Sequence, residues 1–188
     1  MKNLSVFSLA SDDHLVQPEE FEDINASTGA LAILADFRSY KPHMVDAHLE
    51  ASEALELMRA EDVNIKLVVD GQKEFVGVIS LDDLSHHNML LKQMALHLRH
   101  DELLVRDLMY PRTAMQAVDF DQFQKATVGD VVTTLKKNHQ QYLLVVDKEA
   151  HHIRGLVSAR DIANRLHMPV EIEKELTFAD IFTSVAAH

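Results

Sequence analysis

Cysteine is absent from this chain, which excludes a disulfide framework and thiol catalysis and suits a reducing compartment. Long apolar runs are missing as well. The longest after Gly29 is Ala30 to Ala35, far below the roughly 18 residues that span a bilayer. Met1 to Leu15 carry one lysine and two aspartates and no sustained apolar core, so a signal peptide is not expected and a cytoplasmic location is. Positive charge is scarce: 18 Lys and Arg stand against 30 Asp and Glu, for a net charge of −12. That balance weighs against nucleic acid, whose affinity comes largely from phosphate neutralisation, and equally against an anionic membrane surface. No stretch concentrates Lys and Arg with aromatics, the footprint a nucleic-acid binder would leave. The five glycines form no Gly-rich phosphate loop, and neither a His-Glu-x-x-His helix nor a Gly-x-Ser-x-Gly elbow occurs, so the chain is not expected to be an enzyme.

What the chain does have is an internal repeat. Gly155-Leu156-Val157-Ser158-Ala159-Arg160-Asp161-Ile162 has a twin in Gly77-Val78-Ile79-Ser80-Leu81-Asp82-Asp83-Leu84. Each reads as a buried strand that ends at a serine and turns into a helix, with an aspartate three residues on in the first turn. A lone Ser-x-x-Asp is a capping box and nothing more, but here the flanks match too. Thr127 to Asp147 lies over Glu50 to Asp70 at constant offset, which puts Val131, Val132 and Leu135 on Ala54, Leu55 and Met58 and Leu144-Val145-Val146-Asp147 on Leu67-Val68-Val69-Asp70. The predicted order, strand, helix, strand, strand, helix, is therefore present twice.

This order, with Val68-Val69-Asp70, Gly77-Val78-Ile79-Ser80 and Asp83 and again Val145-Val146-Asp147, Gly155-Leu156-Val157-Ser158 and Asp161, resembles the CBS domain. Two copies resemble the tandem pair called a Bateman module. The resemblance implies an α/β fold, with two CBS-type β-α-β-β-α repeats packed as one module, N- and C-terminal extensions, and no catalysis. The divisions expected are an acidic N-terminal extension over 1–39, repeats over 40–100 and 101–168, and a helical C-terminal extension over 169–188. It also implies a regulatory role in sensing an adenosine-containing small molecule, with AMP, ADP or ATP as the ligand. A homodimer and an as yet unknown regulated protein partner are expected with it.

The chemistry of the second repeat suits that role. A helix N-terminus after a strand offers backbone N–H groups and a positive dipole end to a phosphate. Ser158 can donate its hydroxyl, and Arg160 adds charge and a forked donor. Asp161, acceptor-only when ionised, suits two vicinal ribose hydroxyls. By resemblance the adenine slot is formed by Gln141, Tyr142 and Leu143 with Ala117 and Val118. In the first repeat, Ile65, Lys66, Ser80 and Asp83 form the corresponding and weaker site, because Asp82 stands where the second copy has Arg160 and repels phosphate.

Two readings from other classes compete with this one. The clefts could stay empty in a structural or protein-interaction dimer, or the histidines could make a metal protein. His97 and His100 have a spacing that can share an ion, but a solvated helix face explains them and no metal is expected.

The remaining expectations concern individual elements. The acidic stretch Met1 to Asn25 reads as a solvated arm, and Ala30 to Ala35 as a short helix capped by Thr28 and packed on the first repeat. Ile65 to Val69 reads as a strand buried on both faces. One long helix should run from Leu81 to Arg99, and Ala114 to Val118 should be a strand followed by a loop carrying Phe120 and Phe123. Thr127 with Asp130 should cap a helix whose inner face is Val128, Val131, Val132 and Leu135. After an extended Pro169 to Ile172, Thr177 and Asp180 would start a last helix faced by Phe178, Ile181, Phe182 and Val185.

Overall fold

The computed structural model describes residues 24–166. In chain order they form β1 (Ala35–Asp36), β2 (Met44–Asp46), α1 (Ala51–Ala60), β3 (Ile65–Val69), β4 (Phe75–Ser80), α2 (His86–Leu96), α3 (Val105–Leu108), β5 (Tyr110–Pro111), β6 (Gln116–Asp119), α4 (Phe120–Phe123), α5 (Val128–Lys137), β7 (Tyr142–Asp147), β8 (His152–Ser158) and α6 (Ala159–Leu166). The expectations for Met1 to Asp23, and for everything after Leu166, lie outside the described residues. Ile24, at the end of the acidic stretch, is buried in the second core rather than part of a solvated arm.

The repeats fold as their patterns require. In the second, Thr127 Oγ1 accepts from the Asp130 N–H at 3.2 Å while Asp130 Oδ2 accepts from the Thr127 N–H at 2.9 Å, a reciprocal cap that starts α5. Val128, Val131 and Leu135 then fall on one buried face. In the first, Ala51, Ala54 and Met58 do the same on α1. Each of these helices is the crossover that a parallel strand pair needs: α1 links β2 to β3, with Val45 opposite Val68, and α5 lies between β6 and β7, with Val118 opposite Val145. Hairpins β3–β4 and β7–β8 follow in antiparallel register.

Each sheet has four strands, ordered β2-β3-β4-β5 and β1-β8-β7-β6, and neither is continuous in sequence. β1, just ahead of β2 in the first half of the chain, pairs with β8 of the second; β5, just ahead of β6 in the second half, pairs with β4 of the first. The apolar run at Ala30 accordingly packs on the second repeat, not the first. It is a 3₁₀ turn over Ala30–Ile33 with no side-chain cap, and Ala30 and Ile33 are buried with Phe123, Val128 and Leu135. Its backbone explains the choice: Ala30 N–H donates to the Ala126 carbonyl, and Val128 N–H to the Thr28 carbonyl, so the segment is bound to the start of α5.

This exchange depends on two glycines. A Cβ on Gly77 would sit 2.6 Å from the Tyr110 carbonyl oxygen, and one on Gly155 would sit 2.6 Å from that of Ala35. Neither glycine has a positive φ, so the requirement is space for the incoming strand, not conformational freedom. At β1 the contact is reinforced by Arg154, whose Nε and Nη2 donate to the two carboxylate oxygens of Asp36 at 2.8 Å each. The guanidinium also lies 4.3 Å above the Phe120 ring, a cation–π arrangement.

One face of each sheet packs on its helices and the other on its fellow sheet. Val68, Ile79, Leu84 and Val105 belong to the first helix-facing core and Val145, Val157 and Ile162 to the second. Val78, Tyr142, Leu144 and Leu156 are buried between the sheets. β3 is not buried on both faces throughout: Lys66 and Val68 are buried, while Ile65, Leu67 and Val69 are partly covered. Lys66, 3% exposed, occupies the position of core residue Leu143 and meets Glu61 Oε2 at 2.5 Å, the pairing a buried ammonium requires.

The long helix expected after Ser80 is replaced by a turn and a shorter helix. Asp83 Oδ2 accepts from both the N–H and the hydroxyl of Ser80, at 2.8 and 2.6 Å, and Leu84 is anchored in the core. α2 begins afresh behind Ser85, whose hydroxyl accepts from the Asn88 N–H at 3.4 Å, and ends at His97 in the left-handed conformation. Ala114 likewise belongs to a 3₁₀ turn, so β6 starts only at Gln116. Phe120–Phe123 makes a single helical turn capped by Asp119, with Phe123 buried.

Gly77→Ala and Gly155→Ala should each lower stability by about 1–3 kcal/mol, the ordinary range for a forced clash, in urea denaturation. Gly71→Ala, which meets nothing within 4 Å, should change it little. The Asp36 carboxyl is held at about 2 by the Arg154 hydrogen bonds, against 3.8 for an ordinary aspartate. A depressed pKa stabilises the fold fully above pH 4 and loses that contribution as pH falls through about 2. The contribution is at most about 2 kcal/mol, so the stability gap between wild type and Asp36→Asn should be widest near neutrality and close by pH 2.

Candidate ligand-binding cleft

The starts of β3 and β7 lie beside the ends of β4 and β8, since Ile65 is registered with Ser80 and Tyr142 with Ser158. Both serine turns are therefore delivered to one place. The Leu81 N–H donates to the Asn64 carbonyl and the Ala159 N–H to the Gln141 carbonyl, each at 3.0 Å, tying each turn to the residue that precedes its partner strand. A cleft of about 590 Å³ opens there. The first repeat lines it with Asn64, Ile65, Ser80, Asp82 and Asp83, and the second with Gln141, Tyr142, Ser158 and Arg160; Tyr110, Ala114, Gln116, Asn138, His139 and Gln140 complete it.

Seven of the residues singled out from the sequence are thus brought together: Ile65, Ser80, Asp83, Gln141, Tyr142, Ser158 and Arg160. Five are not on the cleft wall. Leu143 is a core residue, Val118 packs against the same core, Lys66 is buried and paired with the exposed Glu61, and Ala117 and Asp161 lie outside the lining. Sequence reasoning missed Asn64, although it aligns with Gln141. It also missed His139, whose left-handed backbone matches that of Asp62 at the equivalent position. Tyr110 could not be found, because it arrives through the exchanged strand β5.

The two turns differ in how their aspartates are engaged. Asp83 accepts from the Ser80 N–H and hydroxyl and donates its own N–H to Ser80 Oγ at 3.2 Å. Asp161 keeps only the last of these bonds, at 3.4 Å from Ser158 Oγ. Although Asp161 as a residue reaches solvent, protein atoms crowd its carboxyl. That desolvation raises its pKa above the usual aspartate value, with Arg160 and Arg165 pulling the other way.

Across the cleft, Arg160 Nη1 donates to Asp82 Oδ2, so the cation of one turn meets the anion of the other. The hydrogen bond to Asp82 is the main reason the Arg160 pKa rises. Tyr142 is 8% exposed and its ring lies 5.8 Å from that of Tyr110, tilted by 56°. Burial first, then the Asp83 charge, pushes its phenol up to about 12, with a hydrogen bond to Ser80 opposing. The single Tyr110 hydroxyl proton is shared between two acceptors, the Ala114 carbonyl at 3.2 Å and Gln140 Oε1 at 3.3 Å. Among the described residues no three His, Asp or Glu side chains gather as ion ligands, and no helix is long and apolar enough to cross a membrane.

Comparison with known proteins matches this geometry to one family. The CBS domain model matches residues 34–89 and 105–168. Among solved structures, an uncharacterized conserved protein from Pyrococcus horikoshii is 15% identical, with a TM-score of 0.53 over 80% of this chain and 100% of that one. A hemolysin-like protein containing a CBS domain, of Oenococcus oeni PSU, is 18% identical, with a TM-score of 0.52 over 79% and 95%. CBSX2 in complex with AMP is 22% identical over 73% and 94%, at a TM-score of 0.48, an overlap too loose to carry its ligand to this chain. No curated protein matches. By the two matched segments and by its fold, the chain belongs to the CBS domain family, carrying the domain as a tandem pair.

Proposed function

We propose that this CBS-domain protein is a regulatory module that binds an adenine nucleotide reversibly, performs no catalysis, and passes the signal to a protein partner. The observation that carries this reading is the convergence of both serine turns on one cleft, with Ser158 and Arg160 side by side in its wall. The N-terminus of α6, the Ser158 hydroxyl and the Arg160 guanidinium would hold phosphate. Asp161 is not in the cleft wall but follows Arg160 directly in the first turn of α6. Not engaged by the Ser158 hydroxyl as Asp83 is by that of Ser80, it would accept from the ribose hydroxyls of a ligand seated at that turn. Gln141 and Tyr142 would border the base, with Ala117, Val118 and Leu143 supporting them from behind.

The first-repeat half, Ile65, Ser80 and Asp83, would bind more weakly, with Lys66 behind it held by Glu61. Asp83 already accepts two bonds from Ser80, and Asp82 adds negative charge where the second turn has Arg160. One observation favours a second reading, an interaction module that carries no ligand: Arg160 already has a partner in Asp82.

Calorimetric and thermal titration with adenosine, AMP, ADP and ATP separates the two readings. Nucleotide should stabilise the protein by about 2.7 kcal/mol at a hundredfold excess over its dissociation constant, and the absence of any response would favour the interaction module. Asp161→Ala should remove most of the stabilisation and Asp83→Ala much less; equal losses would contradict the asymmetry. Because Asp161 must be ionised to accept both hydroxyls, binding should weaken as pH falls through its raised pKa, earlier than for an ordinary aspartate.

A further inference from the structure

We infer that Asp82 sets the selectivity of this module for ligand charge: its carboxylate is an internal anion that holds the Arg160 guanidinium until a phosphate displaces it. The inference rests on the nucleotide reading above and adds to it the residue that decides how many phosphates the cleft prefers. Three observations carry it.

The first is position. Asp82 and Arg160 come from different repeats, both line the cleft, and their side chains meet over it. The second is the contrast between fixed backbone and movable side chains. The Asp82 carbonyl accepts from Asn88 Nδ2 at 2.7 Å and from the Ser85 N–H at 3.0 Å, and the neighbouring Asp83 closes the turn on Ser80. Opposite, Ala159 is buried and its N–H is bound to Gln141. The side chains of Arg160 and Asp82 are nevertheless 52% and 69% exposed, so a ligand can part them without disturbing either turn. An exposed pair of this kind is weak, and a guanidinium prefers a phosphate that meets its fork bidentately.

The third is the charge around the arginine. Arg160 is hydrogen-bonded to Asp82 and feels the charge of Asp161, while Asp83 adds a further carboxylate to the cleft wall. Each further negative charge on a ligand is therefore drawn by Arg160 and opposed by Asp82 at short range. Adenosine feels neither effect. AMP must break the ion pair, and ATP must in addition bring its extra charge towards the displaced carboxylate. Asp82 thus biases the cleft towards ligands with few phosphates, and phosphate binding replaces a repeat-to-repeat bond with a repeat-to-ligand bond.

The test compares wild type, Asp82→Asn, Asp82→Ala and Arg160→Gln by calorimetry at fixed ionic strength, with adenosine, AMP, ATP and inorganic pyrophosphate as probes. Both Asp82 variants should bind AMP about fivefold more tightly, the factor an exposed ion pair can supply. The gain should be larger for ATP and pyrophosphate and absent for adenosine, while Arg160→Gln should lose affinity for every phosphate probe. Unchanged affinity for AMP, ATP and pyrophosphate in the Asp82 variants would overturn the inference, as would an equal gain for adenosine or a failure of pyrophosphate to bind any of the proteins. If no adenosine compound binds but pyrophosphate does, and binds more tightly to the Asp82 variants, the charge gate stands and the adenine-nucleotide reading falls.

Discussion

Two backbone-to-backbone contacts at glycine, β5 against Gly77 and β1 against Gly155, are what the rest of this structure depends on. Each brings the short first strand of one half of the chain to the sheet edge of the other, with no room for a Cβ between them. A two-residue strand has little stability of its own. It is held here by side chains: the Arg154–Asp36 fork and the buried Ala30 and Ile33 on one side, and the anchored Val105 and the Tyr110 ring on the other. The consequence is a pair of sheets that cannot separate along the sequence boundary between the repeats. The cleft inherits its shape from this, since Tyr110 enters it as part of β5 and packs on Tyr142 from β7.

Within that frame the two repeats put the same local sequence to different uses. Ser80 and Asp83 close a self-contained turn that ends before the next helix begins, whereas Ser158 leads straight into α6. Lys66 and Leu143 hold equivalent core positions, one satisfied by Glu61 and the other by apolar neighbours. Asp82 and Arg160 hold equivalent turn positions with opposite charge, and pair with each other. Duplication followed by divergence at a few positions would produce such a molecule, in which the turns keep their geometry while their charges and their aspartates take different roles.

Elements with a local cause were legible in the sequence. The Thr127–Asp130 cap, the amphipathic faces of α1 and α5 and the β-branched hairpins follow from spacing and residue type. Of the seven expected residues that line the cleft, the doubled Gly-x-x-Ser pattern pointed to Ser80, Asp83, Ser158 and Arg160, and the family resemblance to Ile65, Gln141 and Tyr142. The features that escaped are long-range. β1 and β5 are too short to show a period, so nothing in Ala35-Asp36 or Tyr110-Pro111 announces which sheet they join. The turn at Ser80 looked like a helix start because a capping box and a closed turn share the same first bonds; only the burial of Leu84 and the second cap at Ser85 distinguish them. The Asp82–Arg160 pair joins residues from different repeats, and the two were legible only as an electrostatic contrast, not as partners.

Native-state hydrogen exchange tests most directly whether the exchanged strands make the repeats a single cooperative unit. Amides of the central strands β3, β4, β7 and β8 should be released with one common free energy of opening, equal to that of global unfolding. If the β3–β4 hairpin opened at a distinctly lower free energy while β7–β8 stayed protected, or the reverse, the repeats would be independent folding units and the exchange of β1 and β5 would not bind them together.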